Sequence, residues 1–493
     1  MNSKVVFWIN DDLSTLGIVN ALKMKFHCDV YAIVDITDKT KEFFQHQKII
    51  DFSKIWYIHD HINKITKKPD ENYLLQIEKE IGVNFSLLAS NERLFNKFNQ
   101  FYEFTKDEIN LIFEQECRLF ERVLNEINPE YLIMGVTTLH HNHLFYKICK
   151  ARGVKVLMVR PSFLTGKYII ADAVNTFQET KIKRDYEFES FQELQEFLKK
   201  RDSRKKADKH LSEFQSSRKN FLKSIFYYLF SSNSNVKTHF SYYGRTKFSV
   251  FYKTLTYELE KRKRKKFLDK QLLYKNKLDE KFIFFPLHVE PERSINIAAP
   301  SFSNQIEIIE KISNSLPDGY KLYVKEHPVM VVRGWRSISN YKKIMSLSNV
   351  RLIHPSFRTE DFIKKSSLVI QIGGTPALEA AFYNKPSIVF ADLDYAGISS
   401  VYKISSFSEL PTAIRNMLNV KVKISEINEY INLVNTNSFE FNLVRLSQEF
   451  DRIFRLNGFL MDTKISISKM KKFLDDNQDE FNKFAYNITR NMR

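Results

Sequence analysis

The 493-residue sequence is poor in cysteine, glycine and proline, with 3 Cys, 12 Gly and 12 Pro. Cys28, Cys117 and Cys149 are odd in number, far apart and form no C-x-x-C pair. This excludes a disulfide framework and a cysteine-based zinc site, and it points to a reducing compartment. So little Gly and Pro, beside 43% hydrophobic and 14% aromatic residues, excludes collagen-like, low-complexity and disordered chains. No apolar run reaches the roughly 18 residues that a spanning helix needs. Nor does the N-terminus carry the basic, apolar and small-residue stretches of a secretory leader, because Val5–Ile9 soon meets Asp11 and Asp12. The expected location is cytoplasmic. No internal repeat is present.

What is there is charge of one sign. The net charge is +18, and residues 201–270 hold 19 Lys and Arg against 6 Asp and Glu, so +13 of it is local. Such a stretch suits nucleic acid, an anionic membrane surface or an acidic glycan, or it is a solvated helical face. Within it, Phe221–Phe230 (FLKSIFYYLF) is too short to span a bilayer. It fits a buried or an interfacial helix.

The rest of the chain alternates strand and helix. Strands are predicted at Val5–Ile9, Val30–Val34, Tyr131–Met134 and Val154–Val159, with helices at Leu16–Lys25, Glu108–Ile127 and Leu144–Arg152. After a helical basic insertion the rhythm returns from Phe282 to Phe390, with strands at 282–285, 321–324, 350–353, 368–372 and 387–390. Beyond Pro411 the chain reads as mainly helical. This predicts an α/β protein with two doubly wound Rossmann-like domains, 1–180 and 281–411, a linker at 181–280 and C-terminal helices at 412–493. Such domains bind ligands at the carboxyl ends of their strands, which directs attention to the loops there.

Three loops of the second domain carry chemistry. Lys325-Glu326-His327-Pro328 leaves the strand 321–324 and presents a cation and an imidazole to a phosphate, or forms a capped surface loop. Gly373-Gly374-Thr375-Pro376 joins a strand to a helix. Glycines permit close approach, Thr375 suits the N-cap and Pro376 the first helical position, so free amides and the helix dipole face an anion. Glu379, one turn in, can accept from ribose hydroxyls; the bland alternative is an ordinary Gly-Gly turn. The stretch Phe285–Ser294 offers His288 and Arg293 to the donor phosphate, or Glu290 and Glu292 as acid and base, or a structural turn.

The order FFPLHVEPERS, YVKEHP and IQIGGTPALEAAFYNKPSIVF resembles bacterial capsule and surface-polysaccharide biosynthesis proteins, including the Kdo transferases of capsule assembly. It is also similar to the donor half of bacterial sialyltransferases. The resemblance covers Phe282 to Phe390. It implies a GT-B glycosyltransferase whose two domains face a cleft, with His327 and Thr375 on the donor phosphate, Lys325 supporting charge and Glu379 near the ribose. The donor nucleotide is open among CMP, UDP and GDP, an acidic sugar on CMP being one choice, and the acceptor is a surface glycan or glycolipid.

A base for the acceptor is expected in the first domain, after its strands. Asp11 and Asp12 follow the first strand, or merely cap the next helix. His140, His141 and His143 follow Tyr131–Met134, or form a solvated turn, and Arg93 is a further ligand candidate. With no carboxylate or Cys beside them in sequence, the three His predict no closed zinc site. Asp392-x-Asp394 resembles a metal-binding pair but follows a Rossmann strand, so metal-independent chemistry is expected, with no cofactor. A sugar-nucleotide isomerase resembling UDP-GlcNAc 2-epimerases shares this architecture but has little use for a basic aromatic insertion. A non-catalytic nucleic-acid-binding or scaffold protein would use the basic stretch, yet no nucleic-acid signature accompanies it.

Overall fold

The computed structural model describes residues 2–62, 68–96, 100–164, 167–178, 181–200, 218–230, 240–272, 280–331, 333–460 and 462–492. Of the basic stretch, 201–217 and 231–239 lie outside the described residues. Two compact units form. The first takes the described residues of Met1–Gln178, Asp202–Lys247 and Asn437–Arg493, and the second those of Glu179–Arg201 and Phe248–Thr436.

In the first unit, β1 (Ser3–Asn10), β2 (Cys28–Asp35), β3 (Lys54–Tyr57), β4 (Tyr131–Gly135), β5 (Lys155–Pro161) and β6 (Lys167–Ala171) lie in the order β6-β5-β4-β1-β2-β3. All neighbours pair parallel except β5 and β6. The apolar runs form strands buried on both faces, as parallel sheets require. Val5, Phe7 and Ile9 enter one core, and Val6 and Trp8 enter the other. The helix Lys106–Ile127 covers the second face. It starts at a capping box between Thr105 and Glu108 and stops at left-handed Asn128 (φ 45°).

In the second unit, β7 (Phe282–Pro286), β8 (Lys321–Lys325), β9 (Val350–Ile353), β10 (Leu368–Gln371), β11 (Ser387–Val389) and β12 (Val401–Lys403) lie in the order β12-β11-β10-β7-β8-β9, all parallel. Ile283 and Phe285 enter one core, Phe282 and Phe284 the other. Both units are therefore doubly wound, with α/β layering as the sequence rhythm predicts.

The insertion and the tail differ from the sequence reading. Residues 181–280 are shared between the units. Phe240 is buried in the first, while Leu194, Leu268 and Leu272 are buried in the second. The tail is not wholly helical: β13 (Ser438–Glu440) pairs antiparallel with β6 and extends the first sheet. Beyond it, Phe450, Phe473, Phe481 and Phe484 complete the first core. Gly17 makes this fit possible, since a Cβ there would lie 2.2 Å from Phe481 Cδ2. No helix among the described residues is long and apolar enough to cross a membrane.

Candidate functional site

In the first unit, charged side chains gather where β1, β2, β3 and β4 end. Asp35 closes β2 and bridges two imidazoles: His141 Nε2 and His59 Nε2 each donate to it at 2.8 Å. Burial works against its charge. The charge of His141 and the two hydrogen bonds prevail, holding the carboxyl well below its usual range. Trp8 stacks on His141 with ring centroids 5.6 Å apart.

His140 sits deeper, among Phe95, Phe113 and Phe240. Its Nε2 lies 3.0 Å from Glu116 Oε1. Its Nδ1 lies 3.0 Å from Glu92 Oε2, an ion-pair distance, and the same oxygen accepts the His140 amide at 2.6 Å. Burial disfavours the imidazolium, but Glu116 and Glu92 outweigh it and push its pKa up to about 10. His140 is thus a buried cation between two carboxylates, and Glu92 also caps the helix that His140 begins.

These findings correct three expectations. The helix after β4 starts at His140, not Leu144, so His140 and His141 are buried and do not form a solvated turn. Carboxylates do stand beside the His pair, brought from Glu92, Glu116 and Asp35 by the fold. Glu116, His140 and His141 place donor atoms within 4.8 Å of one another, the one grouping of metal-ligand type among the described residues. His143 packs beside Tyr146. Arg93 donates to the Thr138 carbonyl at 3.0 Å, holding the loop before the helix.

Asp11 and Asp12 separate in role. Asp12 Oδ1 accepts from the Ser14 amide at 3.0 Å and Oδ2 from Ser447 Oγ at 2.7 Å, so Asp12 is a cap. Asp11 is half-buried. Burial pushes its pKa up to about 6 against the pull of Arg455, with Asp35 and Asp12 adding to the rise. Arg455 donates to the Asp11 carbonyl, and its guanidinium lies 3.5 Å from the carboxylate.

In the second unit, the three predicted loops leave β10, β7 and β8, which are neighbours in the sheet. Gly373 N–H donates to His288 Nε2 at 3.2 Å. This places the ring's own proton on Nδ1, which faces Glu292 Oε2 and Ser294 Oγ, each 3.4 Å away. His288 therefore props the glycine loop from beneath. Gly374 (φ 143°) is the N-cap of the helix Thr375–Phe382, and a Cβ there would meet Gln371 Nε2 at 2.9 Å. Thr375 is the first helical residue and Pro376 the second, one place later than the sequence suggests.

Fewer amides are free at this helix start than the sequence suggests, since His288 takes that of Gly373 and Gln371 Oε1 takes that of Ala377 at 3.1 Å. The Gly374 and Thr375 amides meet no protein acceptor among the described residues. Beside them Gln371 Nε2 is buried without a partner. These three donors lie within one turn of chain and meet no acceptor among the described residues. Tyr395 OH donates to the Gly374 carbonyl. Glu379 is half-buried on the same helix.

The Lys325–Pro328 loop leaving β8 is braced from behind. Glu326 is buried and accepts from the His327 amide (2.7 Å), Tyr341 OH (2.7 Å) and Arg336 Nε (2.9 Å). Arg336 reaches on to Glu290 Oε1 at 2.7 Å and to the His288 carbonyl, so one guanidinium ties the β7 loop to the β8 loop. His327 Nδ1 accepts from Val329 N–H, leaving the proton on Nε2. Burial pushes its pKa down to about 4, only partly opposed by Glu292. His327 is a neutral donor at neutral pH. Lys325 is buried rather than presented, its ammonium 3.4 Å from the Pro355 carbonyl. Arg293 is half-buried at the start of the short helix Arg293–Asn296. Asp392 pairs with Lys403 at 3.0 Å while Asp394 accepts from Tyr430 at 3.0 Å, so their carboxylates serve separate partners.

The sequence reading passed over Asp35, Glu92, Glu116, Gln371 and Arg336. Two of them carried a signal. Asp35 ends β2 much as Asp11 follows β1, and Gln371 is a polar group closing an apolar strand.

Two doubly wound, mainly parallel sheets, each with its polar groups in loops after the strands, define a two-Rossmann-domain protein of the GT-B type. Residues 134–411, more than half of the chain, match the family described as capsule polysaccharide biosynthesis protein, and the chain belongs to that family. No curated protein matches the chain. Similar structures include UDP-GlcNAc 2-epimerase from Methanocaldococcus jannaschii (13% identity, 88% of this chain and 99% of that one, TM-score 0.26). Others are Thermosulfurimonas dismutans KpsC, a beta Kdo 2,7 transferase (12%, 77% and 96%, 0.30), and the N-terminal domain of Candida albicans trehalose-6-phosphate phosphatase (10%, 92% and 97%, 0.31).

Proposed function

We propose that the protein is a glycosyltransferase that moves a sugar from a nucleotide-sugar to a surface glycan or glycolipid, an acidic sugar on a CMP donor being one candidate beside UDP- and GDP-sugars. One observation carries this reading. The Gly374 and Thr375 amides, the buried Gln371 amide and the Nε2–H of His327 are donors that meet no acceptor among the described residues, at the ends of neighbouring strands, where such folds bind a phosphate. Family membership supplies the glycan context.

Transfer needs a base for the acceptor hydroxyl and stabilisation of the leaving nucleotide. Asp11, with its pKa pushed up to about 6, is matched to the first task near neutral pH. The charge of Asp35, itself bonded to His141, adds to that rise. The amides and His327 perform the second task by donating to the phosphate as its charge grows, and the reaction runs without a metal. The test is nucleotide release, followed by mass spectrometry, with each sugar nucleotide in the presence and absence of capsule oligosaccharides. Release that depends on the acceptor supports transfer. Isomerised sugar nucleotide with no release would point to the epimerase reading instead.

A further inference from the structure

The helix Lys247–Leu272 is seated on the second unit by one side. Leu268 and Leu272 enter the core, Arg264 donates to the Gly334 and Trp335 carbonyls at 3.1 Å each, and Tyr257 closes on Gly334. The other side is bare. Phe248, Phe251, Tyr252, Leu255 and Leu259, spaced i, i+3, i+4, i+7 and i+11, form one stripe and are between 52 and 79% exposed. Single exposed apolar residues are ordinary, but a contiguous row marks a binding face.

Past Leu259 the same side turns cationic. Arg262, Lys263, Lys266 and Lys270 follow at helical spacing, and all are exposed. Of the helix's acidic groups only Glu260 reaches this face, pairing with Lys263 as well as Arg264, while Glu258 pairs with Lys261 and Asp269 with Lys265 and His354. Arg262, Lys266 and Lys270 form no ion pair among the described residues.

We infer that this face docks on an anionic lipid bilayer. The aromatic and leucine stripe sinks between headgroups while the cationic turns lie over their phosphates, with the helix in the plane of the interface. A second copy of the chain fits poorly, because parallel pairing of the helix would set the same cations against one another and full antiparallel pairing would lay them on the apolar stripe. Nucleic acid would use the aromatic rings but not Leu255 and Leu259, which offer no stacking surface. The first unit carries a feature of the same kind. On the helix Arg218–Phe230, Leu222, Phe226 and Phe230 recur every fourth residue, 65 to 72% exposed, with Lys219 and Lys223 lining the same groove.

The test is flotation of the full chain with vesicles of phosphatidylcholine alone and of phosphatidylcholine mixed equally with phosphatidylglycerol. Two variants are compared, one with Phe248→Ser, Phe251→Ser and Leu255→Ser, the other with Arg262→Gln, Lys263→Gln and Lys266→Gln. Wild type is expected to float only with the anionic vesicles, and each variant to bind them about tenfold or more weakly. The inference is overturned if wild type ignores both vesicles, binds both equally, or loses nothing in either variant. It is also overturned if sedimentation shows a wild-type dimer that the serine variant abolishes, or if oligonucleotides bind while vesicles do not.

Discussion

Replacing Arg336 by Met tests the brace behind the loop that leaves β8. Arg336 is only 4% exposed and serves Glu326, Glu290 and the His288 carbonyl at once, while Glu326 is 0% exposed. Met fills similar space but strands the Glu326 carboxylate, which keeps only the His327 amide and Tyr341 hydroxyl. Removing one partner of a buried ion pair costs about 3–5 kcal/mol, chiefly because the other charge stays buried. The chain has three tryptophans, and Trp335 is the one in the second unit. In a Trp8→Phe, Trp56→Phe background, urea unfolding followed by indole fluorescence therefore reports this unit. The expected result is a loss of about 3–5 kcal/mol for Arg336→Met, and most of that loss for Arg336→Lys, which keeps a charge but cannot span three acceptors. A loss below about 1 kcal/mol, the size of an exposed pair, would refute the reasoning.

Three other outcomes follow from the first unit. His140→Gln leaves Glu92 and Glu116 buried without a cation, and should lower stability by about 3 kcal/mol or more in thermal or urea unfolding. Because the folded pKa of His140 is raised, its contribution is complete below the unfolded value near 6.5 and should fade as pH climbs through about 10, a trend absent in the variant. Transfer activity should rise with pH through about 6 as Asp11 ionises, and Asp11→Asn should abolish that limb of the profile. Gly17→Val drives a side chain into Phe481 and should cost about 1–3 kcal/mol by calorimetry.

Much of this was legible because it is local. Phe282–Phe285 and Val5–Ile9 are strands by composition alone, and Gly373-Gly374-Thr375-Pro376 announces a turn into a helix within four residues. The brace was not legible. Glu290, Glu326 and Arg336 lie on separate segments, and an ion pair between distant residues leaves no spacing to read. The same holds for His140, whose carboxylates are 24 and 48 residues away. β13 was missed because a three-residue strand is defined by its partner β6 rather than by its own pattern. Asp12 and Asp11 look alike in sequence; only the approach of Ser447 and Arg455 from the far end of the chain sets them apart, one as a cap and the other as a carboxyl facing a guanidinium.

The central claim is that the loops after β7, β8 and β10 hold the phosphate of a nucleotide-sugar. Thermal-shift measurements with CMP, UDP, GDP and CDP, on wild type and on His327→Ala and Gly374→Ala, test it most directly. One nucleotide should raise the melting temperature of wild type, and both variants should lose that rise. No response to any nucleotide, or variants that respond like wild type, would contradict it.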